Sequence, residues 1–347
     1  MTEAKVKVVE ALVTPSLIRG ARERRRLSPE AAANKLKVKL ETVSAWEQGS
    51  KHPTLRQAKG LAHIFSVPFG YLYLSAPPVE QLPIPDLRTV SGNGHLTPSP
   101  EFIDVLNDVL RKQAWYRQEL ESQGAQKLTF VGRFKPDADV KTVAADIGDT
   151  LGLTDALRLS SRTWDMFLTK LTAQAEGIGV LVMRTGMVQN NTHRTLNVDE
   201  FRGFAISDDL APVVFINGRD AKAAQIFTLA HELAHLWFGA SGISNPDYRR
   251  KPSEQAIPVE RVSDAVAAET LVPEATFRRR WDTSWDAYGD VETTRQKLAA
   301  FFRVSSVVVL RRAYELGEID QQTFWDYYDK GAANRRPVKG TGGDYYA

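Results

Sequence analysis

The segment His231-Glu232-Leu233-Ala234-His235 sets two imidazoles four residues apart, with a carboxylate beside the first. Positions i and i+4 of an α-helix share one face about one turn apart, so both imidazoles can reach a single tetrahedral cation. Glu232 leaves the helix axis about 100° away from His231, beside such a cation, where it can take a proton from a bound water. The spacing therefore predicts a catalytic zinc site.

The helix that carries this motif is predicted to be buried. Asp220 can cap its start and Gly239 can end it. The same His-Glu spacing arises by chance in ordinary helices, but here apolar residues surround the motif: Leu229, Ala230, Leu233, Ala234, Leu236 and Trp237. Burying two histidines and a glutamate costs free energy unless something compensates them, and a metal ion does so.

A third ligand is expected, because catalytic zinc usually has three protein ligands and one open position. A second predicted helix starts at Pro258 and places Glu260 and Asp264 on one face, with alanines at 265, 267 and 268 that allow close packing. Glu260 as ligand, with Asp264 accepting the other N–H of a ligand histidine, would complete the site. Two alternatives stay open: these carboxylates are solvated on an exposed helix, or Glu269 is the ligand.

Such a site supports metal-assisted hydrolysis. Zinc polarises the scissile carbonyl and lowers the pKa of its bound water toward ~7. Glu232 takes the proton of that water and later passes it to the leaving amine. His193, Tyr248 and Arg249 are unranked candidates for stabilising the oxyanion, and His193 is equally well explained as an ordinary surface histidine. A site of two histidines and one glutamate also accepts manganese or cobalt.

Charge is unevenly distributed along the 347 residues. Residues 1–75 hold 13 lysines and arginines against 6 acidic residues, whereas the rest of the chain holds 32 against 36. A basic N-terminal part on a mildly acidic body indicates a polyanionic partner for that part only, although a solvated basic face has the same composition. The sequence has no cysteine, no signal-peptide pattern and no apolar run of about 18 residues, so we expect a cytoplasmic protein without a membrane span.

The predicted elements divide the chain into four parts. These are short helices in residues 1–75, a linker with six prolines in 76–100, a larger domain in 101–330 and a flexible tail in 331–347. In the larger domain, helices are predicted over 101–175, 220–239, 258–271 and roughly 292–330, and strands over Gly177–Met183, Phe204–Ile206 and Val213–Ile216. The predicted fold class is α+β and mostly helical, with a small sheet.

The motif and its surroundings resemble the ImmA/IrrE family of metallopeptidases. HELAH follows FTLA and precedes an ExxxD helix ending in LVP, and the stretches GIGVLVM and FAISDDLAPVVFIN come before it. The likeness covers roughly residues 100–330 and extends to thermolysin-type gluzincins, in which ExxxD supplies the third ligand and its supporting carboxylate. Family members often have Asn at the position of Asp264. The resemblance implies a zincin-like domain that cleaves a specific partner, typically a repressor.

The stretch LSPEAAANKLKVKLETVSAWEQGSKHPTL resembles an XRE/Cro-type helix-turn-helix. The residues that match its core and turns are Ala33, Val38, Val43, Trp46, Glu47, Gly49 and Pro53. The resemblance implies a recognition helix beginning near Leu40, and an all-α N-terminal domain. It further implies groove contacts by Lys39, Glu41, Thr42, Ser44 and Ala45, phosphate contacts by Lys51 and Arg56, and added attraction from Arg22 and Arg24 to Arg26.

Two residues depart from the pattern of this module. Lys37 stands where a turn glycine is common, and Pro29 replaces a polar residue that often caps the second helix and meets a phosphate. Such modules also serve as dimerisation or partner-binding surfaces. Double-stranded DNA is the partner that the resemblance implies, and a homodimer is compatible with it.

Three functions fit these features. The first is a zinc-dependent peptidase and transcriptional regulator that binds DNA and cuts a specific partner such as a repressor. The second is an antitoxin or transcriptional repressor of a toxin–antitoxin or phage-related locus, whose peptidase-like domain binds a partner. The third is a peptidase fold that holds zinc structurally and never turns over. The presence of Glu232 favours the first over the third, whereas the fused DNA-binding module favours the second, because a peptidase that only cuts repressors needs no DNA contact of its own.

Overall fold

The computed structural model describes residues 9–25, 27–77, 82–87, 98–244 and 258–333, with side chains up to residue 328. These residues form two compact units. Unit 1 contains the described residues up to 83 together with 98–105, and unit 2 contains residues 84–87 and those described from 106 onward. The domain limits expected from the sequence stay a prediction, and the predicted tail beyond residue 333 lies outside the described residues.

Unit 1 is helical. Its elements are α1 (Pro15–Arg24), α2 (Pro29–Leu36), α3 (Leu40–Gln48), α4 (Leu55–Phe65) and the 3-10 helix Phe69–Tyr73. The helices start where local chemistry favours it: Oγ of Ser28 accepts the N–H of Ala31, and Thr54 and Gln57 form a reciprocal capping box. The apolar helix faces meet in one core that includes Ile18, Val43, Trp46, Leu61 and Phe65.

The turn between α2 and α3 is made by a lysine. Lys37 adopts a left-handed conformation with a φ of 55°, and its N–H donates to the carbonyl of Asn34 at 3.2 Å. The following N–H, that of Val38, donates to the carbonyl of Ala33 at 3.0 Å. Residues other than glycine are strained in this conformation. The tight turn of the module therefore forms without its usual glycine, at a local cost in free energy.

Unit 2 places most of its residues in helices. They are α5 (Pro100–Ser122, whose first residues belong to unit 1), α6 (Val140–Thr150), α7 (Asp155–Leu159), α8 (Trp164–Gly177), α9 (Lys222–Trp237), α10 (Pro258–Leu271), α11 (Glu274–Tyr288), α12 (Val291–Phe302), α13 (Ser306–Glu315) and α14 (Gln321–Ala333). The mostly helical α+β class is confirmed. Helix α11 is not predicted by the sequence, because its only buried side chains are Phe277 and Trp281 and its apolar periodicity is short.

The main sheet of unit 2 has four strands in the order β1-β5-β4-β6. Their bounds are β1 (Leu181–Thr185), β4 (Gly203–Ile206), β5 (Val213–Asn217) and β6 (Gly242–Ser244), while β2 (Met187–Val188) and β3 (Asn191–Thr195) form a separate two-stranded sheet. Strand β1 is parallel to β5, and β4 is antiparallel to both β5 and β6. Strand β1 starts later than expected because Gly177 ends α8 and Gly179, with a φ of 98°, turns the chain.

Helix α9 lies in the core of unit 2. It packs against β4, β5, α8 and α10, and every residue from Ala224 to Trp237 is buried. All residues of β4 and β5 are buried as well. The helix that carries the His-Glu motif is therefore enclosed by apolar side chains, as its sequence predicts. Among the helices that the structure describes, none is long and apolar enough to cross a membrane.

We predict that Lys37→Gly stabilises unit 1 by about 1 kcal/mol, because glycine adopts the left-handed conformation without strain. Amide hydrogen exchange of peptides covering residues 40–65 would then slow by about fivefold in the intact chain. The matched control is Lys35→Gly, which removes the same charge inside α2 and should accelerate exchange, since glycine destabilises a helix interior by about 1 kcal/mol. Equal effects of the two substitutions would show that the turn carries no strain.

Candidate metal centre

Helix α9 is anchored at both ends by groups outside it. Asp220 accepts the N–H of Ala221 at 2.9 Å and forms an ion pair with Arg202, so it acts just before the helix rather than as its capping residue. At the other end Gly239 takes a left-handed conformation with a φ of 68°, as expected for a helix stop. The N–H of Gly132 donates to the carbonyl of Leu236 at 2.9 Å, which satisfies one of the last carbonyls of the helix.

The two histidines of α9 and a glutamate of α10 converge on one point. Nε2 of His231 lies 3.0 Å from Nε2 of His235. The carboxylate of Glu260 spans both rings, with Oε1 3.0 Å from Nε2 of His235 and Oε2 3.5 Å from Nε2 of His231. One ligand atom from each residue falls within 4.8 Å of the others. The structure thus brings together the three residues that the sequence suggests as metal ligands.

Asp264 reaches the far side of the first histidine. Its Oδ1 lies 2.9 Å from Nδ1 of His231, on the ring nitrogen that points away from Glu260. Glu260 and Asp264 are one turn apart on α10 and both face α9, as their spacing predicts. A carboxylate in this position can fix the tautomer and the orientation of the imidazole. Nδ1 of His231 and Nδ1 of His235 both lack a hydrogen bond of regular geometry among the described residues, so the contact of Asp264 with His231 is a close approach of the two groups.

Glu232 is fully buried beside the three converging residues. Neither of its carboxylate oxygens has a hydrogen-bond partner among the described residues, and burial raises its pKa well above the usual value. Strand β4 makes room for it: a Cβ on Gly203 would lie 2.8 Å from Oε1 of Glu232 and 2.6 Å from Cγ2 of Thr228. A larger residue at position 203 would therefore displace the carboxylate.

Ser244 is a member of the site that the sequence does not reveal. Its side chain is fully buried, and its Oγ donates to Oε1 of Glu260 at 3.2 Å and lies 3.4 Å from Nε2 of His235. Ser244 is the last residue of β6, where it pairs with Gly203. A serine in a three-residue strand carries no signal of its own, because its position depends on the pairing of β6 with β4.

The electrostatics of the site reflect competition between burial and neighbouring charges. Burial alone would raise the pKa of Glu260, but the adjacent His231 and His235 hold it far below the ordinary value. Burial alone would lower the pKa of His231, yet Glu260 and Asp264 raise it well above normal. For His235 burial dominates and its pKa is lowered. The site is therefore a compact set of mutually dependent charges.

Two imidazole nitrogens and one carboxylate oxygen are the donor set that zinc takes in catalytic sites, and it leaves room for a fourth ligand. The buried oxygens of Glu232 that lack partners also fit a neighbouring cation or its bound water. The donor chemistry of the described residues thus fits a divalent metal ion.

Glu269 and His193, which the sequence also suggests for the site, lie away from the converging residues. Glu269 forms an ion pair with Arg312, and its Oε1 accepts the N–H of Glu274 at 3.0 Å, so it serves the start of α11 and is not among the converging residues. His193 is exposed on β3. Tyr248 and Arg249 lie outside the described residues.

The predicted DNA-contacting residues lie on and around α3 of unit 1. Lys39, Glu41, Thr42 and Lys51 line an open concavity of about 860 Å³, together with Glu30, Ala33, Asn34, Val38 and Leu40. Ser44 and Ala45 are half-buried on α3, and Arg56 is exposed on α4. Three of the five suggested groove-facing residues thus line one concavity. The contacts of all five with DNA stay a prediction.

Two of the arginines that the sequence suggests for attracting DNA form ion pairs within unit 1 instead. Arg22 is buried, and its guanidinium donates to both carboxylate oxygens of Glu47, at 2.6 and 3.0 Å. Arg25 forms an ion pair with Glu101. Arg22 therefore ties α1 to α3 and does not face a phosphate. Arg24 is half-buried, and Arg26 lies outside the described residues.

We predict that Ser244→Ala lowers the affinity for zinc by about tenfold, because the third ligand loses a hydrogen bond that orients it. Chelator competition on the purified chain measures this affinity. Glu260→Ala, which removes the ligand itself, should abolish stable zinc retention. Ser241→Ala is the matched control: its Oγ accepts the N–H of Ser207 at 2.8 Å, away from Glu260, and zinc affinity should not change. Equal affinities of the Ser244→Ala variant and the unmodified chain would remove Ser244 from the site.

Two family models match the chain. Residues 18–72 match the model described as helix-turn-helix, and residues 175–314 match the model described as IrrE N-terminal-like domain. Comparison with curated proteins and with solved structures gives no match. The second match includes α9, β6 and α10, and so contains every residue of the candidate metal centre. The chain is therefore similar to a helix-turn-helix model in its N-terminal part and to an IrrE N-terminal-like domain model in the part that contains the converging residues.

Proposed function

We propose that this protein is a zinc-dependent peptidase and transcriptional regulator that binds double-stranded DNA through unit 1 and hydrolyses a peptide bond in a specific protein partner, such as a repressor. The observation that carries the proposal is the pairing of a converging two-histidine, one-glutamate donor set with an adjacent buried glutamate that has no other partner among the described residues. A structural zinc site has no need of that extra carboxylate.

In this proposal His231, His235 and Glu260 hold the metal. When bound, zinc supplies a Lewis acid that polarises the scissile carbonyl and acidifies a water molecule. Asp264 lies 2.9 Å from Nδ1 of His231, where it would orient the ring, and Ser244 donates a hydrogen bond to the carboxylate of Glu260. These contacts keep the ligand atoms in position before the metal arrives, which limits the reorganisation that binding requires.

Glu232 is the general base and acid. Its carboxylate is buried beside the ligands, and burial raises its pKa above the ordinary value. It takes a proton from the attacking water and delivers it to the amine of the departing peptide segment. The glycine at position 203 leaves space for this carboxylate, because a Cβ there would lie 2.8 Å from Oε1 of Glu232.

The DNA-binding part of the proposal rests on the concavity around α3. Lysine can contact guanine or phosphate, glutamate can accept from cytosine N4, and threonine can contact either base edges or phosphate. Lys39, Glu41 and Thr42 offer these three chemistries at the start of α3, with Ser44 and Ala45 further along. Lys51 and Arg56 would contact phosphates outside the bases that are read.

A second function is supported by the fusion of the two modules in one chain. A peptidase that only cuts repressors needs no DNA contact of its own, whereas an antitoxin or repressor needs both an operator and a partner-binding surface. In that role the metallopeptidase-like domain binds a toxin or another partner without cutting it, and unit 1 represses the locus. A toxin-like nuclease encoded next to this gene would favour this second function, and an adjacent lone repressor would favour the first.

We predict that Glu232→Gln retains zinc but lowers cleavage by about 10²-fold or more, because the amide cannot take a proton. Mass spectrometry of new N-termini in cells that express either form identifies cleavage, and elemental analysis measures zinc. Glu176→Gln, an exposed position on α8, is the matched control and should cleave normally. Cleavage that persists in the Glu232→Gln variant would exclude the proposed base. Intact zinc with no new N-termini in the unmodified chain would favour the second function.

We predict that Lys39→Ala with Thr42→Ala weakens DNA binding at least about tenfold, because each base contact contributes about 1–3 kcal/mol of discrimination. Gel shifts at fixed salt, on a duplex selected from a random library with the unmodified chain, measure the affinity. Lys35→Ala is the control, since this exposed lysine of α2 does not line the concavity. If both variants bind as the unmodified chain does, the groove assignment on α3 is wrong.

A further inference from the structure

The outer edge of β6 is covered by a short segment of the chain itself. Residues 84–87, here called the strap, lie beside this strand, and Asp86 pairs with Ile243 in parallel orientation. The N–H of Ile243 donates to the carbonyl of Pro85 at 3.0 Å. Because β6 is the last strand in the sheet order, the strap adds to the sheet at its edge. Edge strands are the part of a sheet that can accept another extended chain.

The outer edge of β6 lies close to the proposed metal ligands. Ser244 follows Ile243 in β6, and its Oγ contacts Glu260 and lies close to His235. The strap runs parallel to β6, so the chain advances from Asp86 to Leu87 in the direction of Ser244. An extended peptide paired with β6 in place of the strap would therefore lie next to the metal ligands.

The space beside the backbone of Gly242, called the seat below, holds the side chain of Leu87. A Cβ on Gly242 would lie 2.2 Å from Cδ1 and 2.7 Å from Cγ of Leu87, so the leucine occupies the space that a larger residue would fill. The backbone of Gly242 is not in the left-handed region, which means that space and not conformation requires the glycine. Ile84, at the other end of the strap, is 7% exposed. The edge thus offers backbone hydrogen bonds and a pocket for an aliphatic side chain.

We infer that the outer edge of β6 is a docking surface for an extended peptide that places an aliphatic side chain on Gly242, and that the strap occupies this surface as an internal competitor of the protein substrate. The role of the competing peptide as substrate rests on the function proposed above. Strand addition takes its affinity from main-chain hydrogen bonds and its specificity from alternate side-chain pockets. A four-residue strap with one paired residue can be displaced by a longer peptide that makes more of these bonds.

The test uses the full chain carrying Glu232→Gln, so that no cleavage is needed. Its probe is a fluorescein-labelled peptide with the sequence of residues 80–91, and its readouts are anisotropy and hydrogen exchange of the Ile243 amide. Leu87→Ser should empty the seat. We expect Ile243 to exchange at least about tenfold faster and the peptide to bind at least about tenfold more tightly than to the chain with an intact strap.

Gly242→Ala distinguishes the effect of filling the seat from the effect of displacing the strap. The added methyl group displaces Leu87, so Ile243 should again exchange faster, but the peptide should gain no affinity because the seat is filled. Pro83→Ala, an exposed position outside the pairing, is the control and should change neither readout. Protected amides in β5 and unchanged zinc content in each variant show that unit 2 remains folded.

The outcomes distinguish the inference from the proposed function. Unchanged exchange of Ile243 in the Leu87→Ser variant, or equal peptide affinity in the Leu87→Ser and Gly242→Ala variants, would overturn the docking surface. Tighter peptide binding to the Leu87→Ser variant supports it even if the active chain cleaves nothing, in which case only the peptidase function fails. If the active chain does cleave a partner, Leu87→Ser should lower KM without changing kcat, since a competitor affects binding alone.

Discussion

The desolvation of three ionisable side chains on α9 is the constraint on which unit 2 depends. His231, Glu232 and His235 have no exposed surface, and a buried charge costs several kcal/mol unless it is paired or coordinated. On α10, Glu260 contacts both histidines and Asp264 contacts His231, while Ser244 on β6 donates a hydrogen bond to Glu260. A divalent cation would satisfy the remaining donor atoms, as the proposed function requires.

Other elements of unit 2 position α9 and the groups around it. Strands β4 and β5 bury one part of the helix, and the glycine at position 203 keeps space for the Glu232 carboxylate. The last carbonyls of α9 receive N–H groups from the segment around Gly132 and Phe134, which is far away in sequence. Packing against the sheet and hydrogen bonds at the C-terminal end therefore fix the position of α9 within unit 2.

Unit 1 depends on a different buried pair. Arg22 donates two hydrogen bonds to Glu47 and a third to the carbonyl of Leu27, which joins α1 to α3. An arginine fork matched to a carboxylate has a fixed geometry, so the pair constrains how α1 and α3 meet. The basic composition of the N-terminal part therefore overstates the charge available to DNA, because some of its arginines, such as Arg22 and Arg25, serve the fold.

Local patterns were enough to predict the metal motif, the helix around it and the ExxxD partner helix. Helical periodicity is a property of neighbouring residues, so His231, His235, Glu260 and Asp264 could be placed on their helix faces from spacing alone. The turn at Lys37 formed as the module resemblance implies, although its usual glycine is missing. Ser244, the clearance at Gly203 and the strap on β6 could not be predicted. Each depends on how a short strand pairs with a distant one, and three-residue strands carry too little periodicity to fix that pairing. Tertiary structure also decided that Glu269 pairs with Arg312 and that Arg22 is buried, because charge partners far apart in sequence meet only after the helices have packed.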